Sequence, residues 1–163
     1  MARLLIWICP FLVALFICPA LLAADAKVRK VLPSLLDQEG RASLHPSLYE
    51  RDAYQSHLRH KPSLVGGMRF DVNWTAPRSG NGPLELRLEL RGSAVGTNVA
   101  PAGANGTNSA VVTTPVTAPR FGARWTRITL EKSVLQQVGN VTAWRATLRR
   151  DGTELASSQS FMW

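Results

Sequence analysis

The chain has 163 residues, of which 19 are basic and 11 acidic, and its formal net charge is +8. This length suits one domain with its own core and is short for two. Both cysteines, Cys9 and Cys18, lie in the apolar N-terminal stretch, so the rest of the chain excludes a disulfide framework and thiol chemistry. The basic side chains are spread along the sequence, which is typical of a solvated surface and also suits an anionic partner.

The N-terminus has the pattern of a secretory signal. Arg3 is followed by an apolar run over residues 4–22 and then by small residues that include Ala24 and Ala26. We predict a signal peptide over residues 1–26, cleaved after Ala26, with cleavage after Ala23 or Ala24 as the alternatives. The alternative is an uncleaved membrane anchor, because the apolar run is long for a signal core. In both cases we expect an exported protein, periplasmic or extracellular, whose contact with a membrane is confined to this segment.

Residues 27–65 are predicted to form an N-terminal segment that contains one helix. Within it, residues 31–36 are apolar enough for either an edge strand or a packed turn. Ser47 and Glu50 have the spacing of a capping box, which predicts a helix over about 48–60. Helical spacing then predicts packed side chains at Leu48, Tyr54 and Leu58, and solvated ones at Arg51, Asp52, Gln55 and Arg59.

A change of hydrophobic period marks the start of a predicted β-sandwich over residues 66–163. Phe70, Val72 and Trp74 alternate with polar residues, and the leucines from Leu84 to Leu90 alternate with glutamate and arginine. Such alternation is typical of strands that have one face in the core and the other in water.

Residues 92–119 interrupt this pattern, because they carry no charge and are rich in Gly, Ala, Asn, Thr and Pro. We interpret them as a low-complexity insertion. Two structures are compatible with this composition. We prefer a mobile insertion between two strands; the alternative is a short edge strand at residues 111–116 in which Pro115 closes the strand.

The C-terminal part is predicted to contain a strand at residues 125–130, a helical turn at residues 133–138 and a β-hairpin. Asp151 and Gly152 tolerate the positive φ angles of a two-residue type I′ turn between the last two strands. Counting outward from this turn predicts the following register: Leu148 opposite Leu155, Trp144 opposite Gln159, and Phe161 and Trp163 on the apolar side.

This order of closing strands resembles that of immunoglobulin-like and fibronectin-type-III-like domains. The resemblance covers residues 69–163 and concerns the strand pattern. It implies a mainly β fold, namely an immunoglobulin-like antiparallel β-sandwich preceded by a signal peptide and a short N-terminal helix. The cysteine pair of antibody domains is absent from this sequence, and the resemblance assigns no binding residue.

The sequence gives little support for an enzyme. It shows no Ser–His–carboxylate arrangement and no Gly-rich phosphate loop after a strand. We therefore expect a non-catalytic module without a cofactor, which has a binding or structural role in the cell envelope or extracellular space. Its partner would be a protein or an anionic polysaccharide and not nucleic acid. One alternative is a small metal-dependent enzyme that uses His45, His57 and His60, although their spacing fits no recognised ligand set.

A second alternative is the binding of an anionic glycan or other polyanion through outward arginines. The candidate residues are Arg87, Arg91, Arg145, Arg149, Arg124 and Arg127. Around the last two, residues 120–127 interleave arginines with Phe121 and Trp125, the composition of a site that stacks sugars or bases and pairs with carboxylate or phosphate. The simpler interpretation of this segment is the start of a strand with one buried aromatic side chain.

Overall fold

The computed structural model of the protein describes residues 25–93 and 107–163. These residues form seven strands, two α-helices and one short 3₁₀ helix. The predicted signal peptide falls mostly on residues 1–24, which lie outside the described part. Residues 94–106 of the predicted insertion lie outside it as well.

The strands form two antiparallel sheets. In chain order the elements are β1 (Lys27–Asp37), α1 (Leu48–His60), the 3₁₀ helix (Pro62–Leu64), β2 (Val65–Thr75), β3 (Leu84–Ser93), β4 (Thr107–Val116), β5 (Arg124–Glu131), α2 (Lys132–Val138), β6 (Asn140–Arg150) and β7 (Thr153–Gln159). The three-stranded sheet has the order β1-β2-β5, and the four-stranded sheet has the order β4-β3-β6-β7.

The core lies between the two sheets and follows the predicted alternation. Phe70, Val72 and Trp74 of β2 are fully buried and share one cluster with the leucines of β3 from Leu84 to Leu90. The indole Nε1 of Trp74 donates a hydrogen bond of 2.8 Å to the hydroxyl of Thr126, so the largest core side chain has a partner for its polar atom. The predicted mainly β fold with two antiparallel sheets is confirmed.

β1 is an edge strand that pairs with β2 along residues 27–37. Of the two interpretations for residues 31–36, the edge strand is therefore confirmed. The three-stranded sheet thus begins before α1, whereas the sequence pattern placed the start of the sandwich at residue 66. Residues 31–36 read VLPSLL and do not alternate between apolar and polar side chains, so a period of two does not identify this strand.

β4 is the outer strand of the four-stranded sheet and pairs with β3 along residues 107–116. For these residues the structure shows the edge-strand alternative and corrects the preferred mobile insertion. The strand is longer than the six residues from Val111 to Val116 that this alternative assigned to it. It forms because Ala110 and Val112 pack against the core, which compensates for the weak hydrophobicity of its other residues.

The contacts of α1 differ from those predicted for it. The hydroxyl of Ser47 makes no capping hydrogen bond, and Leu48 is 65% exposed. Leu58 is buried as expected, but Gln55 is buried too, although helical spacing placed it in water. The reason is that Gln55 binds backbone groups of β1, and a hydrophobic pattern cannot register a polar side chain that is buried through hydrogen bonds.

The β6–β7 hairpin turns at the predicted residues but continues in a different register. Asp151 and Gly152 have φ angles of 48° and 78°, which fit a type I′ turn. A register irregularity beside Leu148 then shifts the pairing by one residue, so that Leu148 lies opposite Ala156 and not opposite Leu155. The extra residue is Leu155 of β7. Counting outward from the turn could not reveal it, because such a bulge does not change the hydrophobic alternation of β6.

This shift redirects the last residues of the chain. Trp144 lies opposite Ser160, whose N–H donates to the Trp144 carbonyl at 2.9 Å. Phe161 is fully exposed and Trp163 lies against outer-face Arg91, which corrects the prediction that both lie on the apolar side. Trp163 packs on the guanidinium of Arg91, with 4.0 Å between the guanidinium carbon and the ring centroid.

Two tryptophans test these assignments. Trp74→Ala should lower the free energy of unfolding by about 3–5 kcal/mol, because it empties a fully buried site and leaves the Thr126 hydroxyl without its partner. Trp125 is 51% exposed, so Trp125→Ala should cost less than about 1 kcal/mol. Chemical denaturation measures both values, and equal losses would contradict the assignment of the two faces of the sheet.

Candidate functional site

A half-open groove of about 1050 Å³ lies against both helices. Its apolar lining comes from strands and helices that are far apart in the sequence, namely Pro33, Leu35, Leu58, Pro62, Val65, Met68, Leu135 and Val141. Uncharged polar groups are added by Ser34, Gln55, Asn108, Gln136 and Asn140. This volume is at the upper end of the range for ligand sites in proteins. The groove is therefore large enough for a substantial ligand or for a segment of another chain.

α1 is held in place along the groove by the side-chain amide of Gln55. Its Oε1 accepts a hydrogen bond from the N–H of Leu35 at 2.8 Å, and its Nε2 donates to the carbonyls of Leu35 and Ala42 at 2.9 and 2.7 Å. Both backbone groups of Leu35 are satisfied as they would be by a neighbouring strand. The amide thus prevents another strand from pairing with the open edge of β1. Pro33 has the same effect, because it has no N–H to donate.

A carboxylate at the end of β1 fixes the loop that leads to the helix. Asp37 accepts hydrogen bonds from the N–H groups of Glu39 and Arg41, from Nε of Arg41 and from the hydroxyl of Tyr54, all between 2.7 and 2.9 Å. Burial would raise the pKa of Asp37, but these four donors together lower it to about 2. The ionised form of Asp37 therefore ties β1, the loop and α1 together.

α2 approaches β3 closely at Gly92. A β-carbon at this position would lie 2.5 Å from the carbonyl oxygen of Val138 and 2.7 Å from that of Asn140. Both distances are well below van der Waals contact, so the position admits glycine alone. This close approach seats α2 on the sheet, with Val138 buried and Leu135 in the lining of the groove.

The charged side chains in the lining of the groove are both basic. They are Arg59 of α1 and Lys132 at the start of α2, and both are exposed. Within the described residues neither of them forms an ion pair, and the lining contains no carboxylate. An aliphatic surface with a cationic rim suits a ligand that combines aliphatic groups with a negative charge.

The predicted polyanion-binding arginines divide between two surfaces. Four of them lie on the outer face of the four-stranded sheet: Arg87, Arg91, Arg145 and Arg149. Three of these form ion pairs within that face: Arg87 with Glu89 at 3.0 Å, Arg145 with Glu154 at 3.1 Å and Arg149 with Glu85 at 3.5 Å. Arg91 packs against Trp163. The positive charges of this face are therefore largely balanced.

The other two arginines lie on β5, in the three-stranded sheet. Nε of Arg127 is 3.2 Å from Asp71, and this carboxylate also pairs with Arg69 at 3.0 Å. Arg124 donates to the carbonyl of Thr117 at 3.4 Å. The structure thus does not gather the six arginines on one surface.

Neither aromatic residue of the segment 120–127 is buried. Phe121 is 91% exposed and Trp125 is 51% exposed. The simpler interpretation of this segment is right that a strand starts here, but its prediction of one buried aromatic side chain is wrong. Trp125 lies on the solvent face of β5, because its neighbour Thr126 takes the inward position and binds Trp74.

The three histidines are occupied with other contacts or lie apart. Nδ1 of His45 is 3.2 Å from Oε2 of Glu50, and Nδ1 of His60 is 2.8 Å from the carbonyl oxygen of Ser56. Across residues 25–93 and 107–163, no three His, Cys, Asp or Glu side chains are grouped so that they could hold a metal ion.

The chain was compared with protein-family models, with curated proteins and with solved structures. None of them matches it. In the part of the chain that the structure describes, no helix has the length and apolar character needed to cross a membrane.

Most residues of the groove could not have been identified from the sequence. Leu58 is an exception, because helical spacing predicts that it packs. Met68, Leu135 and Val141 carry no such signal, since each becomes part of the groove only where separate elements meet. For Gln55 the hydrophobic pattern gave the opposite of what the structure shows.

The role of Gln55 can be tested with a substitution of similar size. Gln55→Met should lower the free energy of unfolding by about 2–4 kcal/mol, because it leaves three backbone groups without partners. Hydrogen exchange at the Leu35 amide should accelerate as well. Gln137→Met, on the exposed surface of α2, is the matched control and should behave like the wild type. An unchanged exchange rate at Leu35 would contradict the proposed block of the edge.

The Asp37 network predicts a specific acid sensitivity. The pKa of Asp37 is about 2 in the folded protein against a reference value of 3.8, so the unfolded chain binds more protons between these values. The stabilisation is therefore complete above about pH 4 and is lost as the pH falls toward 2. Asp37→Asn should flatten this part of a melting-temperature profile. Tyr54→Phe removes one donor and should move the loss to higher pH; identical profiles for all three proteins would refute the network.

Proposed function

We propose that this chain is an exported, non-catalytic binding module with an immunoglobulin-like or fibronectin-type-III-like fold. The strand order supports the fold, because the first, second and fifth strands form one sheet, and β3, β6 and β7 belong to the other. This is how the corresponding strands divide in immunoglobulin sandwiches. β4 pairs with β3 at the edge of the second sheet, which favours the fibronectin-type-III-like order. The export of the protein rests on the signal pattern of residues 1–26.

The groove along α1 and α2 carries the proposal of a binding function. It leaves an aliphatic surface open beside two cations, within a volume of about 1050 Å³. Open apolar surface is costly in water and is typical of interaction sites. The helices that border it are fixed by Gln55 and by the close approach at Gly92, so little ordering free energy is needed on binding.

The ligand that fits this groove best is an extended segment of a partner protein, with aliphatic side chains and at least one carboxylate. A groove that is only half enclosed leaves room for a chain to enter and leave, whereas small-molecule sites enclose most of their ligand. Leu135 and Met68 would contact the aliphatic side chains, and Arg59 and Lys132 would attract the carboxylate.

The alternative of polyanion binding through the outer face of the four-stranded sheet has less support. Its arginines already pair with glutamates of the same face or pack on Trp163. A polyanion would have to displace these partners and would gain little net charge attraction.

Selection from a library of random extended peptides tests the groove. We expect the wild-type domain to enrich peptides that combine aliphatic and acidic residues. The double variant Arg59→Glu and Lys132→Glu should invert the charge preference and enrich basic peptides, because both cations are exposed and lie in the lining.

Arg78→Glu is a charge-reversal control for this inversion at a site outside the groove. Arg78 is exposed in the loop between β2 and β3, and it is not part of the groove lining. This variant should keep the wild-type preference for acidic peptides. The proposed function is refuted if the wild type enriches no peptide class. It is also refuted if the double variant enriches the same peptides as the wild type.

A further inference from the structure

A second exposed surface lies on the three-stranded sheet, away from the groove lining. Trp125 of β5 is half exposed, Phe121 in the preceding loop is almost fully exposed, and Asn73 of β2 lies directly opposite Trp125 in the register. Arg127 follows two residues after Trp125, on the same face of the strand. Arg124, at the exposed start of β5, alternates to the other face of the strand but lines one small cleft with Trp125 and Arg127. These five residues define what we call the arginine–tryptophan patch.

The positive charge of this patch is not balanced. Asp71 lies opposite Arg127 but is shared with Arg69, so one carboxylate serves two guanidinium groups. Arg124 pairs with no carboxylate among the described residues and contacts the carbonyl of Thr117. This differs from the four-stranded sheet, where three arginines each have a glutamate of their own.

A small cleft adjoins the patch and limits what it can bind. It has a volume of about 300 Å³ and is lined by residues 115–117 at the end of β4 and residues 124–127 at the start of β5. This is the lower limit of the range for small-molecule sites. The cleft can therefore take one or two rings of a chain, and it is too small for a helix or a nucleic-acid duplex.

Aromatic faces next to guanidinium groups suit a sugar ring that carries a carboxylate. The C–H face of a pyranose ring packs on an indole or phenyl face, which carries a partial negative charge. A carboxylate on the same sugar accepts paired hydrogen bonds from a guanidinium. The Asn73 amide can both donate to and accept from sugar hydroxyls.

We infer that the arginine–tryptophan patch is a binding site for an acidic sugar chain, of the uronic-acid type. Trp125 and Phe121 provide the stacking surfaces, and Arg124 and Arg127 bind the sugar carboxylates. The site is separate from the groove, so it stands independently of the peptide-binding function proposed above.

Calorimetric titration of the domain tests this site. The probes are a short oligogalacturonate, the same oligomer with its carboxyl groups methyl-esterified, and a polyglutamate peptide. We expect the oligogalacturonate to bind and the other two to bind at least about tenfold more weakly, because the ester lacks the charge and the peptide lacks the pyranose faces.

Variants locate the site and separate stacking from charge. Trp125→Ala and Arg124→Gln should each weaken oligogalacturonate binding about tenfold, and thermal unfolding checks that both variants stay folded. Lys61→Gln, an equal loss of charge at an exposed residue after α1, should bind like the wild type. The inference is overturned if oligogalacturonate does not bind, if Trp125→Ala binds it normally, if Lys61→Gln weakens binding equally, or if polyglutamate binds as tightly and Arg124→Gln weakens both ligands equally.

Discussion

The backbone N–H and carbonyl of Leu35 lie at the open edge of β1, where they meet the side-chain amide of Gln55. Buried backbone groups need partners, and here a helix supplies them in place of another strand. Because the amide belongs to α1, satisfying the edge also fixes the helix. Leu58 follows Gln55 by three residues on the same side of the helix, so the contact that protects the sheet also positions one wall of the groove.

The arginines of the two sheets differ in how far nearby carboxylates balance their charge. On the four-stranded sheet, Arg87 pairs with Glu89, Arg145 with Glu154 and Arg149 with Glu85, so these charges largely cancel. On the three-stranded sheet, Asp71 is divided between Arg69 and Arg127. Among the described residues, positive charge without a carboxylate partner is therefore present in the arginine–tryptophan patch at Arg124 and at the groove, where Arg59 and Lys132 have no acidic neighbour in the lining.

The sequence predicts the strands that are regular and fails where a single residue breaks the regularity. β2 and β3 were predictable because every second residue is buried, and the hairpin turn was predictable because Asp151 and Gly152 both accept positive φ. The register beyond that turn was not, since one irregularity beside Leu148 moves every later residue to the opposite face. Phe161 is consequently exposed, although its apolar character predicted a place in the core.

The sequence by itself determined the fold class and much of the core, because the hydrophobic period of a strand is a local property that needs no knowledge of its neighbours. It also determined that arginines and aromatics share the segment 120–127. Only the tertiary structure decided which arginines are balanced by carboxylates, that Gln55 is buried, and that Leu135 and Met68 border one groove. The physical reason is that pairing and enclosure depend on contacts between residues far apart in the chain, and no local pattern encodes those distances.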